Sequence, residues 1–69
     1  MILLQKEIVQ LVISWVEDNK SPAPLSYITS NLTARVGTIR ASAETLCKKG
    51  YLRRSYGKGE VAYVLLRKI

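Results

Sequence analysis

Few side chains in this sequence could do covalent or metal chemistry. It contains no histidine and one cysteine, Cys47, so a zinc site lacks its usual ligands and an internal disulfide lacks its second thiol. Without histidine, proton transfer near neutral pH would fall to Glu7, Glu17, Asp18, Glu44 and Glu60, and their spacing pairs none of them into an acid–base site. Cys47 falls on an apolar helix stripe, where a thiol more often serves as a small core residue than as a nucleophile. Gly57-Lys58-Gly59 lies between two strand-like runs, not ahead of a helix, and so is no phosphate loop. The sequence therefore assigns no catalytic residue, no metal and no cofactor, and it reads as a binding protein, not an enzyme.

What remains with chemistry to offer is positive charge. The formal net charge is +6, unevenly spread. Residues 1–34 hold two cations against three carboxylates, and residues 35–69 hold nine against two. Such a chain attracts a polyanion on one side. Within the basic half, Gly37, Thr38, Ala41, Thr45 and Lys48 fall on the side of a helix that its apolar residues leave free. Arg40 stands at the flank of that side and Arg35 just ahead of it. Short side chains let a helix backbone come close to the floor of a DNA major groove, and a long donor can then read a base edge. A two-pronged contact from Arg40 to guanine would discriminate by about 1–3 kcal/mol; phosphate or Glu44 are equally good partners for it. Arg53, Arg54, Tyr56 and Lys58 belong to a hairpin that would touch backbone or minor groove, fixing register without reading sequence. Ser26 and Tyr27 are outlying candidates on a preceding helix. Any one of these cations is as readily a solvated surface charge; their joint placement carries the reading.

Three helices and a hairpin must position these groups. Residues 2–18 predict the first helix, with Leu4, Ile8, Leu11, Val12 and Trp15 on one stripe and Ile2, Val9, Ile13 and Val16 on a second. That apolar arc fits a helix wrapped by its own domain, or one packed partly against a second copy. The helix is too interrupted by Gln5, Lys6, Glu7 and Gln10 to span a membrane. Asn19 and Ser21-Pro22 stop it, and the two prolines favour an extended stretch at which a short strand near 23–25 could pair with the hairpin. Ser26 predicts an N-cap for a second helix over Tyr27 to Leu32, with Leu25, Ile28 and Leu32 inward and Tyr27, Thr29 and Ser30 outward. After a turn at 31–35, with Thr33 a candidate cap, a third helix runs from Ala34 or Val36 to Lys49. Its inner stripe is Val36, Ile39, Ala43, Leu46 and Cys47, and Gly50 follows as the stop. Tyr51 to Tyr56 and Val61 to Leu66 then read as strands around Gly57-Lys58-Gly59-Glu60. Arg67-Lys68-Ile69 is expected to fray.

With those elements placed, the chain resembles the winged helix-turn-helix family of DNA-binding proteins. The likeness rests on Ile28-x3-Leu32, Thr38-Ile39-Arg40, Leu46, Gly50-Tyr51-Leu52 and a basic hairpin ending in Tyr63-x-Leu65, and it covers residues 4 to 66. Within that family it is most like the very small single-domain regulators of bacterial pilus operons. Two positions depart from the pattern. Arg35 stands where a capping Ser is frequent, and Ala43 stands where Leu is frequent, which calls for closer helix packing or a bulkier neighbour such as Trp15.

The resemblance implies an α+β winged helix-turn-helix over residues 1–69, with three helices and a C-terminal two-stranded wing. It implies a small transcriptional regulator that binds double-stranded DNA, with the third helix in the major groove and the hairpin on the backbone. Further expectations are a homodimer formed through the first helix or cooperative arrays, regulation by abundance, by a protein co-regulator or by the state of the DNA, no membrane partner, and a reducing cytoplasm as the setting for an unpaired thiol. The rival expectation is a protein-interaction adaptor using the same fold. Single-stranded nucleic acid is a third, for which the sheet supplies only Tyr56 and Tyr63 as stacking aromatics.

Overall fold

The computed structural model describes residues 2–57 and 59–66. Lys58 at the hairpin tip and the expected fray at 67–69 lie outside the described residues. The elements run α1 (Leu3–Asn19), β1 (Ala23–Pro24), α2 (Leu25–Ser30), α3 (Val36–Lys48), β2 (Leu52–Gly57) and β3 (Glu60–Leu65). Together they form an α+β domain of three helices and one antiparallel sheet in the order β1-β3-β2.

α1 supplies most of the core. Ile8 and Val12 are fully buried and Val9 nearly so, with Leu4, Leu11, Ile13, Trp15 and Val16 packed around them. The second apolar stripe is thus covered by the domain itself, except at the start of the helix, where Ile2 and Leu3 stay exposed. The helix ends because Lys20 turns left-handed (φ 55°) and donates its N–H to the Val16 carbonyl at 2.9 Å. Glycine usually fills that role.

α2 has the length the sequence suggests but starts and ends two residues earlier, and its cap comes from elsewhere. Pro24, not Ser26, occupies the N-cap position, and Ser26 lies inside the first turn. The Ser26 N–H donates to Glu60 Oε1 on β3 at 3.2 Å, so an acceptor 34 residues away satisfies a free amide of the first turn. Thr29 and Ser30 turn their hydroxyls back onto the Ser26 carbonyl at 3.1 and 2.7 Å, a local alternative to bonding outward. Tyr27, expected outside, is half-buried, with its ring 4.7 Å from that of Trp15. Trp15 is therefore held by Tyr27, and its Nε1 donates to Ser21 Oγ at 3.3 Å.

α3 starts at Val36 with Arg35 as an extended N-cap residue and no side-chain cap, so Thr33 does not fill that role. Ile39, Ala43 and Leu46 are completely buried, and Cys47 packs beside them. Val36, placed inside by periodicity, is 58% exposed, because the core ends before the helix does. The far end closes tightly. Gly50 (φ 84°) donates to the Cys47 carbonyl and Tyr51 to the Leu46 carbonyl, at 3.1 and 3.0 Å. This paired arrangement is what a left-handed residue after a helix makes possible.

The hairpin pairs Leu52 with Leu65 and Gly57 with Glu60, so strand pairing reaches into the Gly57–Glu60 stretch expected to be turn. β1 adds the third strand, with Ala23 opposite Tyr63 and Pro24 opposite Ala62. By alternation, Ala23, Leu52, Arg54, Tyr56, Val61, Tyr63 and Leu65 share the sheet face turned to the helices. Ala23, Leu52 and Tyr63 are essentially fully buried there. No helix is long and apolar enough to cross a membrane among the described residues.

Candidate nucleic-acid interface

The outward side of α3 is bare. Gly37, Thr38, Ala41 and Lys48 are exposed, as are Arg35 and Arg40, and no other element covers them. Thr45 is half-buried, and its hydroxyl donates to the Ala41 carbonyl at 3.0 Å, so its remaining capacity toward a ligand is as an acceptor. Gly37 has no packing reason to be glycine. A Cβ built there meets nothing within 4 Å, and its φ is not positive. A glycine in a helix costs about 0.5–1 kcal/mol relative to Ala, and the fold gains no contact in return.

Glu44 and the hairpin settle which arginine is engaged. Arg54 Nη1 lies 2.5 Å from Glu44 Oε1, an ion pair that ties β2 to α3. The sequence makes Arg54 a candidate for the DNA backbone; in the fold it pairs with Glu44 while half of its side chain stays in solvent. Arg40, for which Glu44 is an equally good partner by sequence, makes no hydrogen bond or ion pair among the described residues. Its donors are free for something outside the domain.

The remaining hairpin candidates split between two faces. Tyr56 points to the helix side of the sheet and is 76% exposed. Arg53, its neighbour Arg54 notwithstanding, points to the opposite side and is also exposed. Lys58, expected at the wing tip, lies outside the described residues. Of the outlying pair on α2, Ser26 is exposed at the edge of the interface, whereas Tyr27 is withdrawn against Trp15. The structure thus brings Arg35, Gly37, Thr38, Arg40, Ala41 and Lys48 onto one helix, with Tyr56 across from Arg40.

Between the first turn of α3, the start of α2 and the hairpin lies a cleft of about 490 Å³. Val36, Arg40, Thr29, Tyr56 and Glu60 are among the residues that line it. Sequence reasoning missed Val36 because its spacing matched the inner stripe.

Behind this surface sits a small buried polar group. The Tyr63 hydroxyl and Glu44 Oε2 are both buried with no hydrogen-bond partner. Burial, with the nearby Glu44 charge adding to it, pushes the Tyr63 phenol up to about 12. Burial likewise raises the Cys47 thiol, again with help from Glu44, which keeps it protonated and poorly nucleophilic. Among the described residues, no group of His, Cys, Asp and Glu could hold a metal ion.

No protein-family model, no curated protein and no solved structure matches this chain.

Proposed function

We propose that this chain is a winged helix-turn-helix that binds double-stranded DNA and acts as a small transcriptional regulator, with α3 in the major groove and the β2–β3 hairpin against the backbone. The observation that carries the reading is the outer side of α3: exposed, built of Gly37, Thr38 and Ala41, and flanked by an Arg40 with no partner among the described residues. A solvated helix face is normally dressed with long charged side chains, and the stretch of Gly37, Thr38 and Ala41 carries none.

In this reading each contact has its own role. Arg40 reads a base edge, because a guanidinium presents two parallel donors that match guanine O6 and N7. Arg35 and Lys48, at the two ends of α3, take phosphates, and Arg53 adds a phosphate contact from the hairpin. The Arg54–Glu44 pair acts as a brace that holds the hairpin at a fixed angle to α3, so that both reach one duplex together. Two copies on adjacent half-sites would double the contact surface, and Ile2 and Leu3, left uncovered by the fold, are the side chains through which α1 would pair them.

Binding to duplex DNA as salt is varied tests this reading. With Lys58 added from the hairpin, Arg35, Lys48 and Arg53 make roughly four phosphate contacts, which give a log–log slope near −3.6 at about −0.9 per contact. Between 50 and 200 mM salt, affinity then falls by roughly 10²-fold. Arg40→Ala is expected to reduce preference for a selected sequence by about 10-fold or more, while leaving most of the affinity for random DNA. An unmeasurable affinity for any duplex at low salt would refute the reading. Equal loss on every sequence would remove base reading from Arg40 alone.

A further inference from the structure

Val36 is one of the apolar side chains that the fold leaves exposed, and the one that belongs to α3. It opens α3, is 58% exposed, and sits in the cleft with Arg40 one helical turn further on and Tyr56 across from it. Its methyl groups contribute little to the core, since the buried set of α3 begins at Ile39. Elsewhere on the outer side of this helix the exposed positions are small or hydrophilic; here, where the interface is most concave, the side chain is branched and apolar. A β-branched residue is also a weak helix former, so helix stability does not account for it.

The chemistry of the cleft narrows what can meet Val36. The α3 side is cationic, with Arg35 as the N-cap residue and Arg40 within the cleft, while the Glu60 carboxylate on the hairpin side accepts from the Ser26 N–H. An occupant that meets Val36 and Arg40 together presents an apolar knob beside hydrogen-bond acceptors. In duplex DNA one group does this from the major groove: the 5-methyl of thymine, which projects beside acceptor atoms and is read by apolar contact. Residues four apart on a helix lie about 6 Å apart along its axis. Successive bases on one strand lie about 3.4 Å apart. Side chains at positions 36 and 40 thus fall on bases one or two steps apart.

We infer that Val36 is a specificity-determining residue that reads the 5-methyl group of a thymine lying within two base pairs of the guanine read by Arg40. The inference rests on the proposed DNA-binding reading and adds to it a base identity and a spacing. Tyr56 forms the opposite wall of the cleft and limits how far the methyl can move from Val36. Recognition is then two-part: a donor pair from Arg40 that rejects the wrong purine, and a methyl contact from Val36 that rejects cytosine at the neighbouring position.

The test uses the full chain and chemically altered duplexes. A pool of randomised duplexes is selected for binding, and the enriched duplex is remade with single 7-deazaguanines and single uracils. Loss of N7 locates the guanine that Arg40 reads, as the position where Arg40→Ala no longer responds to the change. Uracil keeps every hydrogen bond of thymine and lacks only the methyl. At one thymine within two base pairs of that guanine, the change to uracil is expected to weaken binding about fourfold, the worth of one buried methyl. Val36→Ala should bind the thymine and uracil duplexes equally, and Val36→Thr, which keeps one methyl, should still prefer thymine. Circular dichroism of each variant checks that it is folded, as the exposure of Val36 requires. Specific binding with no uracil effect near the guanine, or an effect that survives Val36→Ala, overturns the inference and leaves DNA binding standing. No enrichment and no binding to any duplex overturns both.

Discussion

Replacing Gly37 by alanine should move stability and DNA affinity in opposite directions. Gly37 occupies the second position of α3, with no positive φ and open space where a Cβ would stand. The added methyl therefore creates no clash in the free protein and restricts the unfolded chain. The expected gain is about 0.5–1 kcal/mol. In a domain of this size, 1 kcal/mol corresponds to a rise in Tm of about 4–8 °C. In the complex the same methyl would stand between the helix backbone and the groove. Overpacking a close contact by one methyl costs about 1–3 kcal/mol, so affinity should fall roughly 5- to 150-fold at fixed salt. Thermal unfolding followed by far-ultraviolet dichroism gives the first quantity, and fluorescence anisotropy on a labelled duplex gives the second. A variant that is more stable and binds as tightly as the parent would refute the close approach and leave Gly37 as a helix start and nothing more. A variant that is less stable would contradict the open space around Gly37 itself.

Two further outcomes concern the fold. Lys20→Gly should stabilise the protein by about 1 kcal/mol, since it removes the cost of a left-handed non-glycine residue at the end of α1; denaturant unfolding with an unchanged m-value is the check. Tyr63, with its phenol at about 12 in the folded protein against the ordinary 10, holds its proton in the native state where the unfolded chain loses it. Stability should therefore fall as pH rises from about 10 to 12, by at most about 1.4 kcal/mol per pH unit. The fall should be shallower in Tyr63→Phe, and absorbance near 295 nm should show an ionisation at about 12 that this variant lacks.

The fold was legible where the cause is local. The 3.6-residue spacing of Ile8, Val12 and Trp15, and of Ile39, Ala43 and Leu46, identifies α1 and α3. Gly50 marks the end of α3 because that corner needs a left-handed residue, and the run around Gly57 and Gly59 marks the hairpin. The errors share a different cause: the deciding partner is far away in the chain. Ser26 looks like an N-cap until Glu60 arrives from β3 to accept from its amide. Tyr27 looks exposed until Trp15 packs on it. Arg54 and Arg40 compete for Glu44 on equal terms in the sequence, and the hairpin register gives Glu44 to Arg54. Val36 fits the inner spacing, but periodicity does not say where a core stops, and this one stops a turn later. Arg53 and Arg54 are both candidates of the hairpin, and the strand sends them to opposite faces.

Everything in the functional account depends on the outer side of α3 lying against a duplex, and a single substitution at its centre addresses that. Ala41 is exposed, so Ala41→Glu should change folding stability by no more than about 0.5 kcal/mol, as surface substitutions usually do. The same carboxylate, placed against the groove and its phosphates, should reduce affinity for the selected duplex by at least about 100-fold at 100 mM salt, through repulsion and lost fit. The decisive measurement is therefore DNA binding by a variant whose thermal unfolding matches the parent: the account predicts that binding is gone, and binding at parental strength would contradict it.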